Sequence, residues 1–308
     1  MDIRVLQYFL AVAREESITG AAEALHITQP PLSRQLKELE TELGKQLFVR
    51  GKRGITLTDE GRLLRKRAEE IVELMEKTKA DITSTNAAVA GDVYVGGAET
   101  NGIRAMSKAV AALHSRHPHI CFHMYSGHAE DVTDRLDRGL LDFGVFIEPA
   151  DLTKYEYFKL PTTDVWGVLM RKNSPLSTHE TVSPKDLAGQ PLIMSNQAMV
   201  KNEMAGWMGV GYDRLRIVAT YNLLFNASIL VEEGVGYALA LDGIIKTGAD
   251  DPLCFRPLEP RLEVGLMLAW KKYQVFTKAA ELFLETLQKT IAGREARGTP
   301  GDFIPQTP

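Results

Sequence analysis

Apolar residues near the start of the chain recur with the spacing of an α-helix. Leu6, Phe9, Leu10 and Ala13 fall at positions i, i+3, i+4 and i+7, which places them on one helical face. The segment after Ser17 repeats this spacing, and serine is a preferred residue at a helix N-cap. The pattern therefore predicts two short amphipathic helices in succession.

A third helix is predicted to begin at Gln29, because the prolines that follow occupy positions where helical N–H groups have no intrahelical partner. Leucines spaced three or four residues apart give this helix a buried stripe, and Gly44 gives it a C-terminal stop. Its opposite side is polar and consists of Gln29, Ser33, Arg34, Lys37 and Thr41. Two short strands, at 46–49 and 55–57, then flank a basic, glycine-rich turn that contains Lys52 and Arg53.

This order of elements predicts a winged helix-turn-helix. A helix with an outward polar face fits the major groove of DNA, and a basic wing lies where phosphates or the minor groove would be. Residues 29–67 include ten basic and five acidic side chains, although the whole chain has a formal net charge of -4. Local charge is what phosphates experience, because salt screens charges beyond about 10 Å. The alternative interpretation is a small helical domain whose basic side chains are merely solvated.

A long helix is predicted from Asp59, and its apolar residues follow a heptad pattern. The seam of this helix consists of Leu64, Ala68, Ile71, Met75, Thr78 and Ile82. We interpret the seam as a coiled-coil dimerisation surface, and the alternative is a helix packed on its own chain. The composition of segment 84–88 is typical of a hinge.

From about residue 91 strands and helices alternate, a pattern typical of a mostly parallel α/β sheet. Ligands of such sheets bind beyond the carboxyl ends of the strands, here at loops 99–102, 126–128 and 146–149. Further predicted strands from residue 165 onward indicate a second lobe. The segment 293–308 is rich in glycine, proline and charge, and we expect it to be disordered.

Composition narrows the class of protein. Two cysteines, Cys121 and Cys254, cannot form a disulfide framework, so we expect a reducing, cytoplasmic location and packing roles for both thiols. The first residues do not resemble a signal peptide, and no apolar run reaches 18 residues. We therefore expect no membrane partner.

An enzyme built on the two lobes is an alternative function, and so is a protein that only binds a small molecule. Five histidines cluster in sequence, namely His114, His117, His119, His123 and His128. Their spacing matches no structural zinc pattern, so we interpret them as surface residues and expect no metal and no cofactor. The sequence contains no Gly-x-Ser-x-Gly motif and no P-loop, so we expect no catalytic residues. The basic N-terminal segment argues against a protein that binds only a small molecule.

The chain resembles the LysR-type transcriptional regulators, most strongly and continuously from Phe9 to Gly61. The matching stretches lie at residues 9–13, 17–19, 21–30, 32–36, 39–40, 43–44, 47–48 and 57–61. A weaker resemblance extends from Gly91 to about Ile291 and includes the stretch 234–238.

This resemblance implies an α/β protein with an N-terminal winged helix-turn-helix. The implied parts are a DNA-binding domain at 1–58, a linker helix and hinge at 59–88, an effector-binding domain at 89–292 and the tail. The effector domain would resemble periplasmic binding proteins, with one subdomain at about 89–160 and 260–292 and the other at about 161–259. The crossovers would lie near 159–164 and 255–263. The implied partners are double-stranded promoter DNA, a small-molecule effector in the cleft between subdomains, and other copies of the chain in a dimer or tetramer.

The resemblance also implies roles for particular residues. The DNA-binding set, with both wing residues, is Gln29, Pro30, Ser33, Arg34, Lys37, Lys52 and Arg53. The dimerisation set is Leu64, Ala68, Ile71, Met75 and Ile82. The effector-binding set is Thr100, Asn101, Ser126, Gly127, His128, Phe146, Ile147, Asn196, Gln197, Asn222, Val235 and Gly236. Glu99 departs from the family pattern: inside the cleft it would disfavour an anionic effector, and we expect it to point outward.

Overall fold

The computed structural model describes residues 1–51, 54–83, 90–196, 203–209, 212 and 215–295. The chain divides into two compact units, Met1–Thr83 and Ser84–Pro308. Lys52, Arg53, Gln197 and the predicted hinge at 84–88 lie outside the described residues.

The described residues of the first unit form four helices and a two-stranded antiparallel hairpin. Its elements are α1 (Ile3–Glu15), α2 (Ile18–Ala24), α3 (Gln29–Leu43), β1 (Phe48–Gly51), β2 (Gly54–Leu57) and α4 (Asp59–Thr83). The leucine stripe of α3 is buried against α1, where Leu32 and Leu36 pack in one cluster with Phe9. This packing leaves the polar side of α3 exposed.

Local signals set the ends of these helices. The Ser17 hydroxyl accepts a hydrogen bond from the Gly20 N–H at 3.1 Å and caps α2, while Gly44 ends α3 in the left-handed conformation at φ 63°. The Thr58 hydroxyl accepts from the Gly61 N–H at 2.9 Å at the start of α4. The predicted signals at Ser17 and Gly44 are confirmed, because each acts within a few residues of its own position.

Gly61 allows α4 to begin directly beside the hairpin. An ideal Cβ at this position would lie 2.2 Å from the carbonyl oxygen of Leu47, and backbone atoms cannot give way as a flexible side chain can. The same carbonyl accepts a hydrogen bond from the Thr58 N–H at 3.0 Å. The start of α4 is therefore fixed to the residue that precedes β1.

The part of the second unit that the structure describes is built on one mixed sheet of nine strands. Its strands are β3 (Gly91–Gly97), β4 (Ile120–Ser126), β5 (Phe143–Ile147), β6 (Tyr155–Arg171), β7 (Pro191–Ser195), β8 (Arg216–Tyr221), β9 (Tyr237–Leu241), β10 (Leu253–Pro257) and β11 (Glu263–Lys271). Its helices are α5 (Ile103–His114), α6 (Ala129–Asp137), α7 (Pro184–Leu187), α8 (Glu203–Met208), α9 (Leu224–Glu232) and α10 (Lys278–Glu295), with a 3-10 turn at Pro175–Thr178. The strand order is β4-β3-β5-β11-β6-β9-β7-β8, and β10 pairs with β6.

Two lobes share this sheet. The first lobe comprises β3, β4, β5 and β11 with α5, α6 and α10, and the second comprises β7 to β10 with α7 to α9. Within each lobe three strands run parallel, β4-β3-β5 and β9-β7-β8. Each lobe also has its own apolar core, around Phe143 in the first and Leu239 in the second. Ile147 packs against both cores.

The strand β6 connects the lobes, and it runs for 17 residues through the segment 159–164, where the resemblance implied a crossover. One departure from prediction concerns the direction of its neighbours. The strand pairs antiparallel with β9, β10 and β11, so the sheet is less uniformly parallel than expected. A connecting segment that stays in the sheet satisfies its backbone N–H and C=O groups, which a buried loop could not do. Residues 293–295, expected to be disordered, form the end of α10.

Candidate functional site

The exposed side of α3 forms a shallow polar groove. The residues that line it are Gln29, Pro30, Ser33, Arg34, Lys37, Glu38 and Thr41. Five of these belong to the predicted DNA-binding set, and the helical repeat of 3.6 residues brings them to one face. The prolines fall in the first turn, where no backbone hydrogen bond is lost, so the amino end of the groove is free of kinks.

Arg34 is an exposed cation of this groove that forms an ion pair along the helix. Its Nε lies 2.8 Å from a carboxylate oxygen of Glu38 one turn later, and 79% of its side chain is exposed. An exposed i,i+4 ion pair contributes little to stability, since water screens both charges. The guanidinium can therefore exchange this carboxylate for a phosphate or a base edge at little cost.

The seam of α4 divides into a packed half and an exposed half. Leu64 and Ala68 pack into the core of the first unit, as expected for a helix that contacts its own chain. Ile71 is 41% exposed and Ile82 is 78% exposed. The alternative interpretation thus holds for the first heptad, while the second half presents apolar side chains outward.

Two contacts hold the loop after β3, one to the connecting strand β6 and one to the second lobe. The first involves Thr100, whose hydroxyl donates to the Asp164 carboxylate on β6 and accepts from the Gly102 N–H at 3.0 Å. Asp164 is 1% exposed, and nearby Asp242 accepts from the Val165 N–H at 2.8 Å. The Thr100 hydroxyl, predicted to contact an effector, is therefore engaged inside the protein.

The second contact is made by Glu99, which points into the cleft. Its carboxylate accepts a hydrogen bond from the N–H of Leu224, the first residue of α9. A helix N-terminus favours negative charge, because its N–H groups lack partners and the helix dipole is positive there. Burial first, and the Glu99 charge second, raise the pKa of Tyr221 at the end of β8. The expectation that Glu99 points outward is wrong, since α9 offers it a binding site.

A cleft of about 690 Å³ lies beside these contacts. Its walls are the carboxyl ends of β3 and β4, the outer face of α5, and the backbone after β9 at Gly243. Three predicted effector residues line it, namely Thr100, Asn101 and Ser126. Arg104 also lies on its wall and donates from Nε to the Asn101 side-chain oxygen at 2.5 Å.

Other predicted effector residues of the first lobe shape the backbone or lie buried in the core. The Gly127 N–H donates to the Gly97 carbonyl at 3.0 Å, and His128 occupies the N-cap position of α6. Phe146 is 3% exposed and packs beside Tyr155 in the core under α6. Phe146 is therefore removed from the effector set, because its ring faces the core.

The predicted residues of the second lobe fall at opposite ends of its sheet. Asn196 and Asn222 follow β7 and β8, at their carboxyl ends. Val235 and Gly236 directly precede β9, which is parallel to β7 and pairs Leu192 with Tyr237. These two residues therefore lie at the amino end, away from Asn196, and the structure does not bring them to the cleft.

Sequence reasoning missed several polar residues on β6. Thr162, Asp164 and Trp166 alternate along this strand. The Thr162 hydroxyl and the Trp166 indole N–H are buried without a hydrogen-bond partner among the described residues. The available signal was an aspartate next to an apolar strand, because a buried carboxylate requires hydrogen-bond donors. The identity of those donors depends on loops distant in sequence.

The buried Asp164 predicts a pH dependence of folding. Burial is the main cause that raises the pKa of Asp164 above its usual 3.8, and the Asp242 charge raises it further, against hydrogen bonds from Thr100 and nearby backbone. The folded state thus retains this proton more strongly than the unfolded state. The group stabilises the fold most at low pH, and that contribution is lost as pH rises through the raised pKa.

We expect wild-type protein to lose stability relative to Asp164→Asn as pH rises from acidic to neutral, since the asparagine cannot ionise. Urea unfolding of both proteins across this range measures the difference. A difference in unfolding free energy that is constant with pH would contradict the assignment.

The two thiols have different surroundings. Cys254 is buried in the core of the second lobe, as expected. Cys121 is exposed on β4, so the predicted packing role is wrong for this residue. None of the helices in the described part of the chain has the length and apolar content needed to span a lipid bilayer.

Comparison with known proteins assigns both units. Residues 3–62 match the family described as bacterial regulatory helix-turn-helix protein, lysR family, and residues 86–292 match the LysR substrate binding domain. The chain is 26% identical over 299 residues to the uncharacterised HTH-type transcriptional regulator YvbU of Bacillus subtilis, covering 96% of this chain and all of YvbU. It is also 26% identical over 299 residues to the Hca operon transcriptional activator HcaR of Escherichia coli, covering 95% and 99%.

Solved structures agree on the fold. The crystal structure of CbnR, a LysR family transcriptional regulator, superposes with a TM-score of 0.73 at 19% identity, over 94% of this chain and 99% of that one. CbnR complexed with its target DNA superposes with a TM-score of 0.71. The N-terminal helix-turn-helix, the two-lobed α/β domain and the family matches over most of the chain agree, and the protein belongs to the LysR family of DNA-binding transcriptional regulators.

Proposed function

We propose that this regulator reads promoter DNA with the exposed side of α3 and adjusts that binding when an effector occupies the cleft beside Thr100 and Asn101. The observation that carries the DNA part is the polar groove on α3, with Arg34 and Lys37 exposed. Groove-facing polar and cationic side chains on the third helix are what major-groove binding requires. We also propose, from the sequence alone, that Lys52 and Arg53 of the wing contact phosphates.

Removing either cation of α3 tests the DNA-binding face. We expect Arg34→Ala and Lys37→Ala each to weaken binding to the promoter-region DNA about three- to tenfold. Each should also lower the slope of log affinity against log salt by about one, because one fewer counterion is released. Fluorescence anisotropy across a series of salt concentrations measures both quantities.

Lys289→Ala is the matched control, since Lys289 is an exposed lysine on α10 whose partner is Glu285. The control should bind DNA as the wild type does. If Arg34→Ala and Lys37→Ala keep the wild-type affinity and salt slope, α3 is not the recognition helix.

Dimerisation is proposed for the exposed half of the α4 seam. Leu74 is 40% exposed beside Ile71, and both precede the exposed Ile82 by whole helical turns. Apolar side chains with this spacing gain from burial against the same seam of a second copy. Leu64 and Ala68, which pack internally, are excluded from this surface.

We propose that the part of the effector that contacts the N-terminus of α9 is neutral or cationic. The helix N-terminus that would bind a carboxylate already holds the Glu99 carboxylate. Two further acidic side chains lie near it, Asp164 in the middle of β6, which binds the Thr100 hydroxyl, and Asp242 just after β9. A ligand anion placed there would face like charge. Cationic Arg104 also lines this cleft, and polar groups of a neutral ligand can bind to it there.

The Glu99 hydrogen bond also offers a way for the effector to change the arrangement of the two lobes. The carboxylate belongs to the first lobe and its donor to the second, so this hydrogen bond is a direct link between lobes. A ligand shifts an equilibrium only through different affinities for two conformations. An effector that binds only when the Glu99 link is broken has that difference. We also propose a cytoplasmic location, which the DNA partner and the low cysteine content of the chain support.

A further inference from the structure

Three metal-binding side chains meet at the edge of the sheet, at the opposite end of β3 from the effector cleft. Asp92 is the second residue of β3, and the parallel register places Cys121 of β4 directly beside it. His123 lies two residues further along β4, so its side chain points to the same face as that of Cys121. Sequence spacing did not indicate this cluster, because Asp92 comes from another strand.

The geometry of the cluster is compact. The carboxylate oxygen, thiol sulfur and imidazole nitrogen all lie within 4.8 Å of one another, and His123 Nε2 is 2.9 Å from Asp92 Oδ1. The Tyr94 ring stacks on His123 with centroids 4.5 Å apart, which restrains the plane of the imidazole. Tetrahedral zinc with ordinary bond lengths separates its ligand atoms by about 3.3–3.6 Å. Small side-chain rotations therefore bring all three atoms to bonding distance.

We propose that Asp92, Cys121 and His123 form a binding site for a borderline-soft divalent metal ion, with Zn²⁺ as the favoured ion. One sulfur, one nitrogen and one oxygen ligand suit zinc, whereas calcium and magnesium prefer oxygen alone. The exposed Cys121 and His123 leave the fourth position open to water. Binding would link β3 to β4 where the chain enters the second unit.

Cobalt binding to the full-length protein, after treatment with a chelator, tests this site. We expect Co²⁺ to bind in a one-to-one ratio and to produce a thiolate-to-cobalt charge-transfer band in the near ultraviolet. Zn²⁺ should displace it. Cys121→Ser should abolish the band, and His123→Asn and Asp92→Asn should each weaken cobalt binding about tenfold or more, by analogy with losses measured for metal-site residues.

Two variants are controls. Cys254→Ala removes the other thiol, and His114→Ala removes an exposed histidine outside the cluster, at the end of α5. Both should retain the band and the affinity. The proposal is overturned if Cys121→Ser keeps the band, if cobalt binds without a thiolate band, or if the wild type binds no cobalt. Circular dichroism of each variant confirms that the fold is retained.

Discussion

Replacing Phe283 by alanine is expected to destabilise the effector-binding domain by about 3–5 kcal/mol. Phe283 on α10 is fully buried and contacts two other rings edge-on, with centroids 5.2 Å from Phe122 and 5.3 Å from Phe143. Alanine leaves a cavity that this aromatic cluster cannot close, because Phe143 is held on its other side by Phe276 at 5.0 Å. Urea unfolding followed by near-ultraviolet circular dichroism measures the loss.

Phe225→Ala is the matched control, since Phe225 on α9 is 64% exposed. The same atoms are removed from the surface, so the loss should stay below about 1 kcal/mol. Equal losses for the two variants would show that α10 does not cover the first lobe as described.

Removing the Glu99 side chain is expected to create affinity for carboxylates. In Glu99→Ala the N-terminus of α9 loses its internal anion, so benzoate should bind about 10- to 30-fold more tightly than it binds wild type, equivalent to about 1.4–2 kcal/mol. Glu99→Gln should give a smaller gain, because the amide oxygen can still accept from the Leu224 N–H. Titration calorimetry with benzoate on the full chain provides the affinities.

Glu130→Ala separates this effect from a general change in charge. Glu130 is an exposed carboxylate in the first turn of α6, and its removal changes net charge equally. Its benzoate affinity should match wild type. Equal benzoate affinity in wild type and Glu99→Ala would contradict the proposed effector class while leaving the DNA-binding proposal intact.

The N-terminal unit could be predicted in detail from sequence because its signals are local. The Ser17 cap, the Gly44 stop and the leucine stripe of α3 act within one or two helical turns of the residues that they order. The polar face of α3 follows from the same periodicity. Ala68 was assigned to the wrong surface, because a heptad pattern does not distinguish a seam buried within one chain from a seam between two.

The cleft was less predictable because its contacts join residues far apart in the chain. Glu99 and Leu224 are 125 positions apart, and Thr100 and Asp164 are 64 apart. Neither pair of residues produces a periodic pattern in the sequence from which the contact could be predicted. The same reason explains Val235 and Gly236, whose place in the resemblance did not reveal which end of β9 they occupy.

The position of β11 late in the chain affects the order in which the parts of the protein fold during synthesis. This strand pairs with both β5 and β6, and α10 follows it to cover Phe143. A nascent chain on the ribosome that has not reached Glu263 therefore leaves an edge of β5 unpaired and an aromatic core uncovered. The DNA-binding unit can fold as soon as it emerges, whereas the first lobe must wait for almost the whole chain. Chaperone binding during translation should accordingly concentrate on this lobe, although its strands β3 to β5 emerge before the second lobe.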